Sequence, residues 1–153
     1  MYVGWTAFEG TDDFSRMTEY STTFRSDARR FEMITLPFQD FIGMNVSLRM
    51  LMDVGIDRIA AHVRALHQPL LAWARERGVR VASPVGPHAS AILCLAPPEP
   101  QEAYAALREA RIYTSLREGA IRISPHLYNT DADMSRLRDV LERTLQEKQH
   151  AVV

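Results

Sequence analysis

The run R-E-G-A-I-R-I-S-P-H-L-Y-N-T, residues 117–130, carries the most structural information in the chain. Ala120, Arg122 and Ser124 alternate with Ile121 and Ile123, the period of a short strand with an apolar face and a guanidinium on the other. Glu118 and Gly119 mark a hairpin turn into it from a preceding strand over 111–116. Pro125 has no N–H to donate and ends the ladder. Thr130 then serves as the N-cap of a helix with Asp131 and Asp133 in its first turn. Strand, tight exit and capped helix hold Arg117 and Arg122 near one junction, and a half-buried arginine there needs an anion. The residues alone leave two partners open for Arg122: an external carboxylate or phosphate, or an internal acid such as Glu118. Arg117, at the hairpin end, is either a helper at the rim of such a pocket or a solvated charge.

The flanking segments supply the rest of a domain. Phe38, Phe41, Ile42, Val46, Leu48, Met50, Leu51 and Met52 recur at helical spacing over Phe38–Val54, with an unusually wide apolar face. Gly55 breaks that run, and a second helix over about 57–77 turns Ile59, Val63, Leu66, Leu70 and Trp73 inward. Residues 79–82 form a short strand candidate. Residues 89–96, A-S-A-I-L-C-L-A, are apolar throughout and bounded by prolines, which reads as a central strand covered on both faces. A third helix follows over 99–110, and a fourth over 130–147 places Met134, Leu137, Val140, Leu141 and Leu145 on its core face. The order ααββαββα predicts an α+β fold, a small antiparallel sheet covered by helices. Residues 1–35 show no sustained period, yet carry Trp5, Phe8, Phe14, Tyr20, Phe24 and Phe31, so this arm is expected to lie against something.

Composition excludes several classes of function. A chain of 153 residues with 46% hydrophobic and 24% charged residues is one ordinary domain's worth. A formal net charge of −1 gives no electrostatic case for nucleic acid or an anionic membrane. Cys94 stands alone in an apolar run, which excludes an internal disulfide and predicts a soluble protein of the reducing cytoplasm. No run reaches the roughly 18 apolar residues of a membrane span. His62 and His67 are five apart on a helix and face different ways, so no metal site is expected. His88 and His126 sit beside prolines in turns, where a histidine serves either as an acid–base group or as an ordinary surface residue. Of the 18 lysines and arginines, all but Lys148 are arginine, and arginine forms no Schiff base at ordinary pH.

The run 122–130 followed by D-A-D-M-S-R-L resembles the carboxy-terminal signature of the class V aminotransferases. These are pyridoxal-phosphate (PLP) enzymes that include cysteine desulfurases and isopenicillin-N-epimerase-like proteins. D-A-R-R-F-E-M-I-T at 27–35 is a second match, and the resemblance runs in order along nearly the whole chain. It implies the small carboxy-terminal domain of a fold-type I PLP enzyme over 36–153, with 1–35 as an extended arm or large-domain remnant. It further implies that Arg122, with Arg117 assisting, forks onto the carboxylate of a small amino-acid substrate, and that Thr35 meets the cofactor phosphate across a homodimer. Ile34 stands where the family pattern has Gly, which removes an easy backbone approach.

The family's Schiff-base lysine, pyridine-pairing Asp and ring-stacking group all lie upstream of the matched region, so no catalytic residue is expected here. The resemblance then implies a truncated substrate-recognition domain, inactive alone, with PLP used by the intact enzyme and none bound covalently to this chain. The short interval between Arg117 and Arg122 leaves little of the loop that carries the reactive Cys of the desulfurase members. That points to epimerase or aminotransferase-like members. The alternative is a non-enzymatic oligomerising or small-carboxylate-binding module derived from the same fold.

Overall fold

The computed structural model describes residues 3–151 except 17, 20, 34 and 35, and for 147–151 the helix path alone. The chain divides into two compact units, Met1–Leu51 and Met52–Val153.

In the second unit the sheet is built around the strand predicted from 120–124. Four strands, β1 (Arg80–Val81), β2 (Leu93–Ala96), β3 (Ser115–Arg117) and β4 (Ala120–Ile123), form an antiparallel sheet in the order β1-β2-β4-β3. The hairpin β3–β4 closes through Glu118 and Gly119, with φ of 47° and 74°. Two central residues at positive φ make a two-residue turn whose twist matches that of the strands. The register pairs Leu95 with Ile121, Leu93 with Ile123 and Leu116 with Ile121, so the apolar side chains share one face.

Three helices cover that face: α2 (Ile56–Glu76), α3 (Pro100–Glu109) and α4 (Asp131–Ala151). Leu66, Leu70 and Trp73 of α2, Leu107 of α3, and Leu137 and Leu141 of α4 pack with the strand residues in one core. The α+β architecture and element order read from the sequence are those observed. A polar tie fastens α2 to α4: the Trp73 indole N–H donates to Glu142 Oε2 at 2.7 Å, and Arg77 pairs with Glu142 Oε1 at 2.8 Å.

Two expectations require correction. Residues 89–96 do not form one strand covered on both faces; β2 begins at Leu93 and alternates buried Leu93 and Leu95 with half-exposed Cys94 and Ala96. The preceding residues are held out of the ladder by Ser90, whose Oγ accepts from the Ile92 N–H at 3.1 Å. The strand expected over 111–116 is likewise shorter and later. Arg111 and Ile112 end α3 instead, Arg111 at φ 57° and the Ile112 N–H donating to Leu107 O at 2.8 Å.

In the first unit, three short 3-10 helices, Trp5–Ala7, Phe14–Arg16 and Ala28–Phe31, are joined by an antiparallel bridge between Phe8 and Phe24. The rings of Phe8 and Phe24 stack at 5.1 Å. Arg25, only 8% exposed, donates from Nε to Thr6 O at 2.9 Å and pairs with Asp12 at 2.7 Å. Gly4 lies so close to the 32–33 backbone that a Cβ would stand 2.2 Å from Glu32 O. Helix α1 (Phe38–Val54) follows with no buried residue; Ile42, Val46, Met50 and Met52 are each more than 60% exposed. No helix among the described residues is long and apolar enough to cross a membrane.

Candidate functional site

Opposite the core, the sheet presents its second face. On β4 this face carries Ala120 and Arg122, because Ile121 and Ile123 point into the core. Arg122 has Cys94 of β2 as its register partner on one side and Ser115 of β3 on the other. Arg117 lies opposite Ala120, and Arg80 lies opposite Ala96. The face therefore consists of small side chains with three arginines rising from it. β4 is an interior strand, so access to Arg122 is through the face of the sheet opposite the core.

Arg122 is half-buried and Arg117 is exposed. Neither makes a side-chain hydrogen bond or ion pair with any described residue. Glu118, the internal acid that the sequence offered as a partner, sits exposed in the hairpin turn and does not pair with Arg122. Arg80 is likewise exposed and unpaired among the described residues. Ser115 and Arg80 were missed as members of this face. Only the register reveals them, since the two residues stand 35 positions apart in sequence and on opposite edges of the sheet.

Past the end of β4, a cleft of about 410 Å³ opens beside the start of α4, lined among others by Thr114, Ser124, Tyr128, Asn129 and Arg136. Its floor is fixed by a capping box: Asp133 accepts from the Thr130 N–H at 2.8 Å and the Thr130 hydroxyl at 3.1 Å. The backbone hydrogen bond from Thr130, then the hydroxyl one, holds the Asp133 carboxyl below its ordinary value. Asn129 Oδ1 accepts from the His126 N–H at 2.9 Å, and Asn129 O lies 2.9 Å from His62 Nε2 on α2.

His62 thus ties the loop to a helix, and the His126 ring lies 5.7 Å from that of Tyr128. His67 is 6% exposed, its Nε2 without a partner among the described residues, and burial pushes its pKa down. Among the described residues no three His, Cys, Asp or Glu side chains converge as a metal site would require. Thr35 and Ile34, read as the phosphate contact and its altered neighbour, lie outside the described residues, as does the side chain of Lys148.

No family model matches the chain. It is similar to the uncharacterized aminotransferase YcbU of Bacillus subtilis (strain 168), 26% identical over 121 residues, which is 79% of this chain and 33% of that protein. It is also similar to the uncharacterized aminotransferase C777.03c of Schizosaccharomyces pombe, 29% identical over 151 residues, 95% of this chain and 37% of that one. Among solved structures, the apo cysteine desulfurase of Thermococcus onnurineus NA1 superposes with a TM-score of 0.79 at 18% identity, over 95% of this chain and 39% of the other. The chain thus spans about a third of the length of the curated relatives it matches. Over this span the chain has the fold of that cysteine desulfurase, and in sequence it resembles the two uncharacterized aminotransferases.

Proposed function

We propose that this chain is the substrate-recognition part of a PLP-dependent class V aminotransferase-like enzyme, with Arg122 taking the carboxylate of an amino-acid substrate. One observation carries the reading: a half-buried guanidinium on an open sheet face, with no acid beside it among the described residues. A partly desolvated cation without a counter-ion is unfavourable, and a planar fork is best satisfied by a planar carboxylate. Small, half-exposed neighbours at Cys94 and Ser115 leave room beside Arg122 for that anion. In the same reading 36–153 is the small domain and 1–35 the arm. The protein works in the cytoplasm as a homodimer whose contacts include the uncovered apolar side chains of α1.

PLP, when bound, supplies an electron sink for carbanion chemistry. The described residues fit the carboxylate end of a substrate and do not fit the cofactor. The sequence holds a single lysine, Lys148, set about 26 Å along α4 from Asp131 at 1.5 Å per residue. The chain alone is therefore expected to take up no PLP covalently and to be inactive. Incubation with PLP, borohydride reduction and peptide mapping test this, and a stoichiometric adduct at Lys148 would sink it.

For Arg122, carboxylate binding is followed by NMR titration of the arginine side-chain N–H signals with valerate. Arg122→Gln should abolish saturable binding, and Arg122→Lys should weaken it because a point ammonium cannot reproduce the fork. Unchanged valerate binding in Arg122→Gln refutes the reading.

A further inference from the structure

We infer that the open sheet face reads a second anionic group on the substrate, with Arg117 as the second guanidinium and a dicarboxylic amino acid or its 2-oxo counterpart as the substrate class. This rests on the assignment of Arg122 to the first carboxylate.

The argument is one of register. Arg122 lies opposite Ser115 and Arg117 lies opposite Ala120, so the two arginines are diagonal neighbours on one face of an antiparallel pair. Such neighbours stand about 7–8 Å apart at the backbone, within reach of long side chains converging on one small molecule. Like charges so placed repel each other, and a strand pair that keeps both without compensation is destabilised unless an anion sits between them. No described acid does so: neither guanidinium has an ion pair, and Glu118, the acid nearest in sequence, occupies the turn and is exposed.

The residues between and beside them, Ala120, Ser115 and Cys94, are small, and Ser115 adds a hydroxyl that can donate to a carboxylate oxygen. A two-residue turn fixes the hairpin, so the spacing of the two arginines is set by the backbone. Arg80 shares the face but lies two strands and two residues away from Arg122, about 12 Å by ordinary strand spacing, too far to share a short dicarboxylate.

The test compares glutarate with valerate, which share a five-carbon chain and differ by one carboxylate, by NMR titration of the full chain and three variants. Wild type should bind glutarate about fivefold more tightly than valerate, the factor given by a partly exposed charge pair of roughly 1 kcal/mol. Arg117→Gln should erase that preference by weakening glutarate to the level of valerate, Arg80→Gln should leave the preference intact, and Arg122→Gln should lose both ligands. Absence of any preference in wild type, or its survival in Arg117→Gln, overturns this inference while the Arg122 assignment stands. Equal erosion by Arg80→Gln and Arg117→Gln also overturns it, because it would show a diffuse cationic face. Unchanged valerate binding in Arg122→Gln removes the underlying assignment and this inference with it. Arg117→Lys, which keeps the charge at an exposed site, guards against misfolding and should retain part of the preference.

Discussion

Replacing Glu142 should loosen the second unit in a way that depends on pH. Its carboxylate, 20% exposed at the side chain, accepts the indole N–H of Trp73 at 2.7 Å and Arg77 Nε at 3.0 Å on one oxygen. The other oxygen meets an Arg77 terminal nitrogen and the Gln146 amide, both at 2.8 Å. Trp73 is only 6% exposed, so Glu142→Ala leaves a nearly buried N–H with no acceptor, a loss of about 1–3 kcal/mol. The Arg77 side chain is 52% exposed and its pairing contributes at most about 1 kcal/mol after solvent screening. Together these give a loss of roughly 1–4 kcal/mol at neutral pH.

Glu142→Gln retains an acceptor for the indole and should lose only about 1 kcal/mol. The Trp73 hydrogen bond, before any other cause, holds the Glu142 carboxyl below its ordinary value. A carboxylate whose folded pKa lies below its unfolded one contributes stability that is present above the unfolded value and is lost as pH falls through the folded one. Urea unfolding of wild type and both variants, at neutral pH and through the acid range, measures both effects. Glu142→Ala within about 0.5 kcal/mol of wild type, or Glu142→Gln with the same acid dependence as wild type, would refute the reasoning.

Further outcomes are expected elsewhere in the chain. Leu107→Ala, at a position with no exposed surface, should cost about 2–5 kcal/mol in the same urea assay. Glu118→Asn, at φ 47° in the hairpin turn, should stabilise by about 0.5–1 kcal/mol because Asn tolerates left-handed backbone better; no gain would mean the turn is unstrained. Gly4→Ala should open the amino-terminal unit through its clash with Glu32 O, detected as faster proteolysis within the first 33 residues. Light scattering on a size-exclusion column should find a dimer at tens of micromolar, and a clean monomer would remove the role proposed for α1.

The sequence was most legible where one period ran without interruption. The α1 bounds, Phe38–Val54, follow from its apolar spacing and from Gly55, and the start of α4 follows from Thr130 and the acids after it. The alternation around Arg122 located both the core and the open face of β4. Legibility failed where local hydrogen bonds compete with the ladder. Ser90 removes 89–91 from β2, and the left-handed end of α3 at Arg111 consumes residues that β propensity alone assigns to a strand. An apolar run such as A-I-L-C-L-A also cannot tell by itself whether one face or two will be covered, and Cys94 and Ala96 proved half-exposed. For the candidate site, Arg122 and Arg117 were visible as residue types at a junction. Their placement on one face with Ser115 and Arg80 needed strand pairings that no single sequence specifies.

The two-residue turn at Glu118 and Gly119 makes the hairpin intolerant of insertion. Side chains alternate with a period of two, so one extra residue that slipped the register would send Arg122 into the helix-covered core and turn Ile121 and Ile123 outward. The segment therefore has no intermediate setting in which it is folded but differently selective: a length change there abolishes folding and recognition together. Among natural variants of this chain, lengths should vary freely in loops such as 82–92. The interval from Arg117 to Arg122 should keep its count even where its residues change.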